Sequence, residues 1–125
     1  ANPYRAGPLY PPTSGVDCVA YAPISLPQGT AISKIEVTNV YDTNATCQIG
    51  AYLDEGRSTG GSSERLSATS SDAAGTQTLT LKDSTGAATS YTLKSGGYAY
   101  YIRLVMTPGG PGYTDCSMGQ VKITY

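Results

Sequence analysis

Residues Gly56-Arg57-Ser58-Thr59-Gly60 spell the G-x-S-x-G string that can present a nucleophilic serine. The chemistry behind that string needs a sharp strand-to-helix turn and a histidine to take the serine proton. The 125 residues contain no histidine, which removes Ser–His and Cys–His pairs and the commonest general base of neutral pH. No serine stands three residues before a lysine, so an S-x-x-K pair is missing as well. The string falls inside residues 55–64, EGRSTGGSSE, whose composition reads as a flexible loop. Two carboxylates can hydrolyse a glycoside. Asp54 and Glu55 are adjacent, which sends them to opposite faces of a strand, and Glu64 lies across the loop. These acids read as solvated loop residues. Asp42, Asn44 and Asp115 offer hard oxygen to calcium, but calcium takes about six to eight such ligands. Asp-x-Asn is also ordinary turn chemistry, in which the side chains bond their own backbone. The residues therefore name no catalytic group, no metal site and no cofactor.

The three cysteines, Cys18, Cys47 and Cys116, show no C-x-x-C spacing and have no histidine to complete a zinc site. Cys47 alternates with Ile49, Ala51 and Leu53, a pattern that places it in the core and leaves Cys18 and Cys116 to pair. A loop of that length is worth about 4–5 kcal/mol in the chain-entropy account. Cys47–Cys116 and Cys18–Cys47 remain open, with the spare thiol at a subunit contact. Asn44-Ala45-Thr46 is an N-glycosylation sequon on an expected turn, and the Ser/Thr-rich stretch 58–71 could take O-linked sugar.

Composition bounds what must position these residues. The length suits one domain with one two-layer core. The formal charge is −1 with 14% charged residues and no basic run, so the footprint of a nucleic-acid binder is missing. No stretch has the length of a transmembrane helix, and no membrane insertion is expected. There are 15 Gly and 8 Pro, which favours turns over helices. The 11 Tyr stand where Phe and Trp are absent; tyrosine fits a pleated surface while leaving a hydroxyl for water, a neighbouring subunit or a sugar. The opening Ala1-Asn2-Pro3 reads as a mature start after a targeting segment, which places the chain outside the cell or on its surface.

Residues 1–15, ANPYRAGPLYPPTSG, hold four prolines and read as an extended, polyproline-like arm. Tyr4, Leu9 and Tyr10 give it apolar surface to bury, either as a terminus or as a contact with a neighbour. Residues 16–125 alternate in the manner of strands. Strands are expected over 16–22, 31–41, 46–54, 65–71, 76–82, 88–94, 97–106 and 117–125. Within 31–41, Ile35, Val37, Asn39 and Tyr41 share one face, and Lys34, Glu36, Thr38 and Val40 the other. The turn at 42–45 suggests a hairpin joining that strand to the next. Tyr98, Tyr100, Ile102, Leu104 and Met106 form the longest apolar face, and Val121, Ile123 and Tyr125 the last. About eight short antiparallel strands without an amphipathic helix imply a single β-sandwich, jelly-roll-like or immunoglobulin-like; the Cys–Trp–Cys signature of the latter is absent.

The run Ala22-Pro23-Ile24-Ser25-Leu26-Pro27-Gln28-Gly29-Thr30-Ala31-Ile32, with Val40-Tyr41-Asp42 and the closing Val121–Tyr125, resembles a pattern found in small secreted bacterial β-sandwich proteins. The resemblance implies the fold and the location and carries over no catalytic residue. The readings converge on a non-enzymatic structural subunit of an extracellular filament, pilus-like fibre or surface assembly, a homopolymer joined through its N-terminal arm. A carbohydrate-binding or adhesive module is the alternative, with glycans as partners.

Overall fold

Between Tyr98 and Thr107 every second residue is large and buried, and this strand is central to the larger sheet. The computed structural model describes residues 18–42, 48–70, 75–87, 90–107, 116–117 and 119–125. Its strands are β1 (Cys18–Pro23), β2 (Ala31–Ile32), β3 (Lys34–Asp42), β4 (Gln48–Arg57), β5 (Ser62–Thr69), β6 (Gly75–Thr80), β7 (Tyr91–Thr92), β8 (Tyr98–Thr107), β9 (Cys116–Ser117) and β10 (Gln120–Thr124). There is no helix among the described residues. One sheet has the order β1-β8-β4-β5; a second has β10-β3-β6, with β9 also on β3; β2 and β7 form a short pair. All pairings are antiparallel. The chain is thus a small all-β sandwich, as its alternation implies.

The inner faces meet in one core. Ile49, Ala51, Leu53, Leu66, Ile102, Leu104 and Met106 come from the larger sheet, and Ile35, Val37, Val40, Leu79, Val121 and Ile123 from the smaller. Burying an aliphatic side chain of this size contributes about 1.5–3 kcal/mol each, so the period-two pattern fixes which face of every strand turns inward.

The two sides of the sandwich differ. On one side the chain beyond β6 is stitched to β5: Ser67 N–H donates to Lys82 O at 2.8 Å and Lys82 N–H returns the bond to Ser67 O at 2.9 Å. On the other side β1 and β10 are the outer strands of their sheets, and among the described residues no strand pairs with their free edges.

Four expectations are corrected. The strand over 31–41 and its successor do not form a hairpin: β3 pairs with β6, β9 and β10, and β4 with β5 and β8, in different sheets. The tight-turn residues at 42–45 are compatible with either connection. The uniform alternation of β3 also fails. Pairing with β6 shifts between Val37 and Val40, which puts an extra residue on β3 and turns Val40 inward to 1% exposure. Residues 55–64 are not a loop: β4 runs on to Arg57 and β5 begins at Ser62, leaving a tight hairpin turn. The strand expected over 88–94 is reduced to Tyr91–Thr92 within the described residues. The arm, residues 1–15, lies outside the described residues.

Candidate functional site

The largest departure from the sequence reading is Glu55. It continues the inward phase Ile49, Ala51, Leu53 along β4 and is 0% exposed. Asp54 and Glu55 do face opposite ways, as adjacent strand residues must. Four groups surround the buried carboxylate. Tyr91 Oη, from β7, and Tyr100 Oη, from β8, both donate to Oε2, the latter at 2.8 Å. Arg65 Nη2 donates to Oε1 at 3.1 Å, and Lys94 Nζ stands 3.6 Å from the same oxygen. The two rings pack edge to face, with centroids 5.8 Å apart. Tyr100 Oη in turn accepts the Lys94 backbone N–H at 2.9 Å.

Arg65 reaches the core by a local irregularity. Leu53 pairs with Leu66 and Asp54 with Glu64, so Arg65 is an extra residue in β5. A bulge places two successive side chains on one side of the sheet, and here it aims Arg65 inward beside Leu66. Regular pairing would have sent it outward and left Glu55 without its strongest counter-charge.

Burial acts to raise the Glu55 pKa, but the hydrogen bonds from Tyr91, Tyr100 and Arg65 outweigh it and hold the group down at about 2. Tyr91 is pushed up by burial and by its bond to Glu55, and Tyr100 is raised chiefly by burial. Arg65 is raised by its hydrogen bond to the carboxylate. At neutral pH the cluster is therefore a fixed anion ringed by protonated donors. Such a group is a poor general base, whose pKa should lie near the working pH. What it does is tie β4, β5, β7 and β8 to one point.

Outside this cluster runs an open cleft of two adjoining hollows, about 800 and 260 Å3, both lined by Gln28, Leu93, Lys94 and Tyr98. Pro23, Ile24, Leu26 and Tyr100 add an apolar wall to the smaller one. The wall is held by backbone bonds: Gly29 N–H donates to Leu93 O at 2.8 Å, and Leu93 N–H to Thr30 O at 2.9 Å. At the nearby end of β8, Gly97 adopts φ +86°, and a Cβ there would meet Ser58 Oγ at 2.6 Å, so the close crossing of the two segments requires glycine. Lys94 Nζ lies 5.5 Å from the centroid of Tyr98, within cation–π range.

A second polar group lies on the outer face of the larger sheet. Arg103 donates from Nε to Asp54 Oδ2 at 2.7 Å and from Nη2 to Glu64 Oε2 at 3.3 Å, and its guanidinium sits 4.2 Å from the Tyr52 ring centroid. The bond to Asp54 raises the Arg103 pKa. Tyr52 folds over Gly50, where a Cβ would come within 2.6 Å of its hydroxyl. Next to Arg103, Tyr21 and Tyr101 pair edge to face at 5.6 Å.

Of the residues singled out from sequence, Ser58 occupies the hairpin turn between β4 and β5 and not a strand-to-helix elbow, which explains the G-x-S-x-G match without chemistry. Asp54 and Glu55 are buried, so the reading of them as solvated acids is overturned; Glu64 is exposed but pairs with Arg103. Cys18 is half buried and packs against the core. Cys47 and the side chain of Cys116 lie outside the described residues, as do Tyr4, Leu9, Tyr10 and Asn44. No group of metal-binding residues occurs among the described residues. Sequence reasoning missed Arg65, Tyr91 and Lys94. The available signal was Glu55 itself, in phase with three core residues. Comparison with protein-family models, with curated proteins and with solved structures returns no match.

Proposed function

We propose that the chain is a structural subunit of an extracellular filament, pilus-like fibre or surface assembly, in which residues 1–15 of one copy bind the open side of the next. The observation that carries this reading is where apolar surface is left uncovered. The exposed large hydrophobic side chains among the described residues are Val19 at 47%, Tyr21 at 63% and Tyr125 at 44%. Two stand on β1 and the third directly follows β10, the outer strands on the side of the sandwich that no bridge closes among the described residues. An edge strand offers unpaired N–H and C=O groups that an extended segment can satisfy. A head-to-tail contact of that kind need not close and so propagates as a fibre. The low net charge suits dense packing of like subunits, and the buried anion at Glu55 suits a rigid body that carries out no reaction. The partner is another copy, with neither nucleic acid nor membrane insertion involved.

Deleting residues 1–15 tests the proposal by sedimentation and negative-stain microscopy. The expected result is a folded body that no longer forms high-mass species. Assembly that survives the deletion would sink it. The alternative, a carbohydrate-binding or adhesive module, draws support from the outer face, where Tyr21, Tyr101 and the Arg103–Tyr52 stack form an aromatic platform. Glycan-array binding that disappears in Tyr21→Ser would favour it.

A further inference from the structure

We infer that the cleft beside Lys94 and Tyr98 is the anchoring subsite for the arm, and that it takes residues Pro8-Leu9-Tyr10-Pro11-Pro12 of a neighbouring copy as a polyproline II segment. The inference rests on the subunit reading above and adds to it the point of attachment. Three observations carry it.

The first is the chemistry of the segment. Pro8 and Pro11 are three residues apart, the repeat of a polyproline II helix, so both rings fall on one side of it. Proline has no N–H, so only Leu9 and Tyr10 in this stretch have a donor, while all five residues keep a carbonyl. The segment is therefore unsuited to pair along a strand edge and needs a surface of donors and rings. The second is that the cleft supplies that surface. Lys94 brings a donor-only ammonium, Gln28 and Ser95 bring side-chain donors, and Tyr98 brings a ring with an apolar wall beside it. Proline-rich segments dock in aromatic-lined grooves of this type because their conformation is already fixed.

The third is position. The smaller hollow begins at Pro23, the last residue of β1, so the cleft continues from the free edge that the rest of the arm would cover. The described chain starts at Cys18, the opposite end of that strand. Within one assembly the arm can thus run along the open side of its neighbour and end in the cleft.

The test is binding of a fluorescent peptide of residues 1–15 to the full chain, read by anisotropy, alongside sedimentation of the same proteins. Tyr98→Ala is expected to weaken binding at least tenfold, as is a peptide carrying Pro8→Ala with Pro11→Ala. Gln28→Trp, at an exposed loop position that leaves the core untouched, should block the cleft with the same loss and covers the case in which Tyr98→Ala fails to fold. Thr69→Ala, exposed on β5 at the opposite edge of the larger sheet, should change peptide affinity less than twofold. Unaltered binding in Gln28→Trp overturns the inference, as does failure of the wild-type chain to bind the peptide. Displacement of the peptide by a soluble oligosaccharide assigns the cleft to a sugar and overturns it too. If deleting residues 1–15 abolishes assembly while Gln28→Trp assembles normally, the cleft assignment fails and the subunit reading stands. If assembly ignores the deletion, both fail.

Discussion

Asp54 and Glu55 are consecutive, carry the same charge and pair with arginines from β-strands, yet they live in different solvents. Glu55 faces the core, with none of its surface exposed and four polar groups bound to or beside its two oxygens. Asp54 lies on the outer face, itself only 4% exposed beneath Arg103, whose side chain remains 28% exposed and also serves Glu64. The outer pair is one contact in a network covered by a part-exposed arginine, and the inner one is a keystone where four strands meet. The contrast teaches that the cost of a charge on a strand is set by the face it lands on and not by its neighbours in the chain. In the core the carboxylate is surrounded by donors; on the outer face a single arginine covers it.

Removing the inner charge breaks the comparison most. Glu55→Ala strands Arg65, Lys94 and two tyrosine hydroxyls together and is expected to cost about 3–5 kcal/mol by denaturant unfolding. Acid should reach the same group more gently. The folded pKa of Glu55, about 2, lies below the ordinary value of 4.5. Its contribution is therefore complete above pH 4.5 and is lost as pH falls toward 2. About 3 kcal/mol of stability should disappear across that window, and Glu55→Gln should flatten this part of the curve. Tyr91→Phe removes one charge-assisted bond and leaves the rest of the ring of donors, an expected loss of about 2 kcal/mol. Asp54→Asn is the smallest change. It should cost about 1 kcal/mol by denaturant unfolding, because the amide keeps an oxygen that accepts from Arg103.

The sequence makes the core legible because period two is enforced by burial. On β8 the alternation Tyr98, Tyr100, Ile102, Leu104 and Met106 marks the inward face, buried from Tyr100 on and part-buried at Tyr98. Glu55 occupies the same phase on β4, but a carboxylate beside Gly and Ser reads as solvent-facing unless its partners are known. Those partners come from β5, β7 and β8, and Arg65 reaches it only through a bulge that no local pattern announces. The same applies to Val40, turned inward by a register shift, and to the β3–β4 connection, where turn residues serve a crossing between layers as well as a hairpin. The cleft is further from sequence still, since its walls come from residues near 25 and near 95, joined by the Gly29–Leu93 backbone bond.

The open side has a consequence for how the molecule forms. The β4–β5 hairpin closes over a short turn, and its bulge sets Arg65 beside Glu55 with no help from distant chain. By contrast β1 must find β8, with Cys18 opposite Met106, and Ser33 must find Thr124, 91 residues on. Pairings that close long loops are slow, because the entropy of closure comes before any contact rewards it. On that ground the β4–β5 hairpin is expected to form early and the pairings of β1 and β10 late, an order that pulsed hydrogen exchange during refolding would read. On the proposed assembly, a neighbour's arm that needs β1 in place would have nothing to dock on until the sandwich is finished, so topology would act as a timer separating folding from joining.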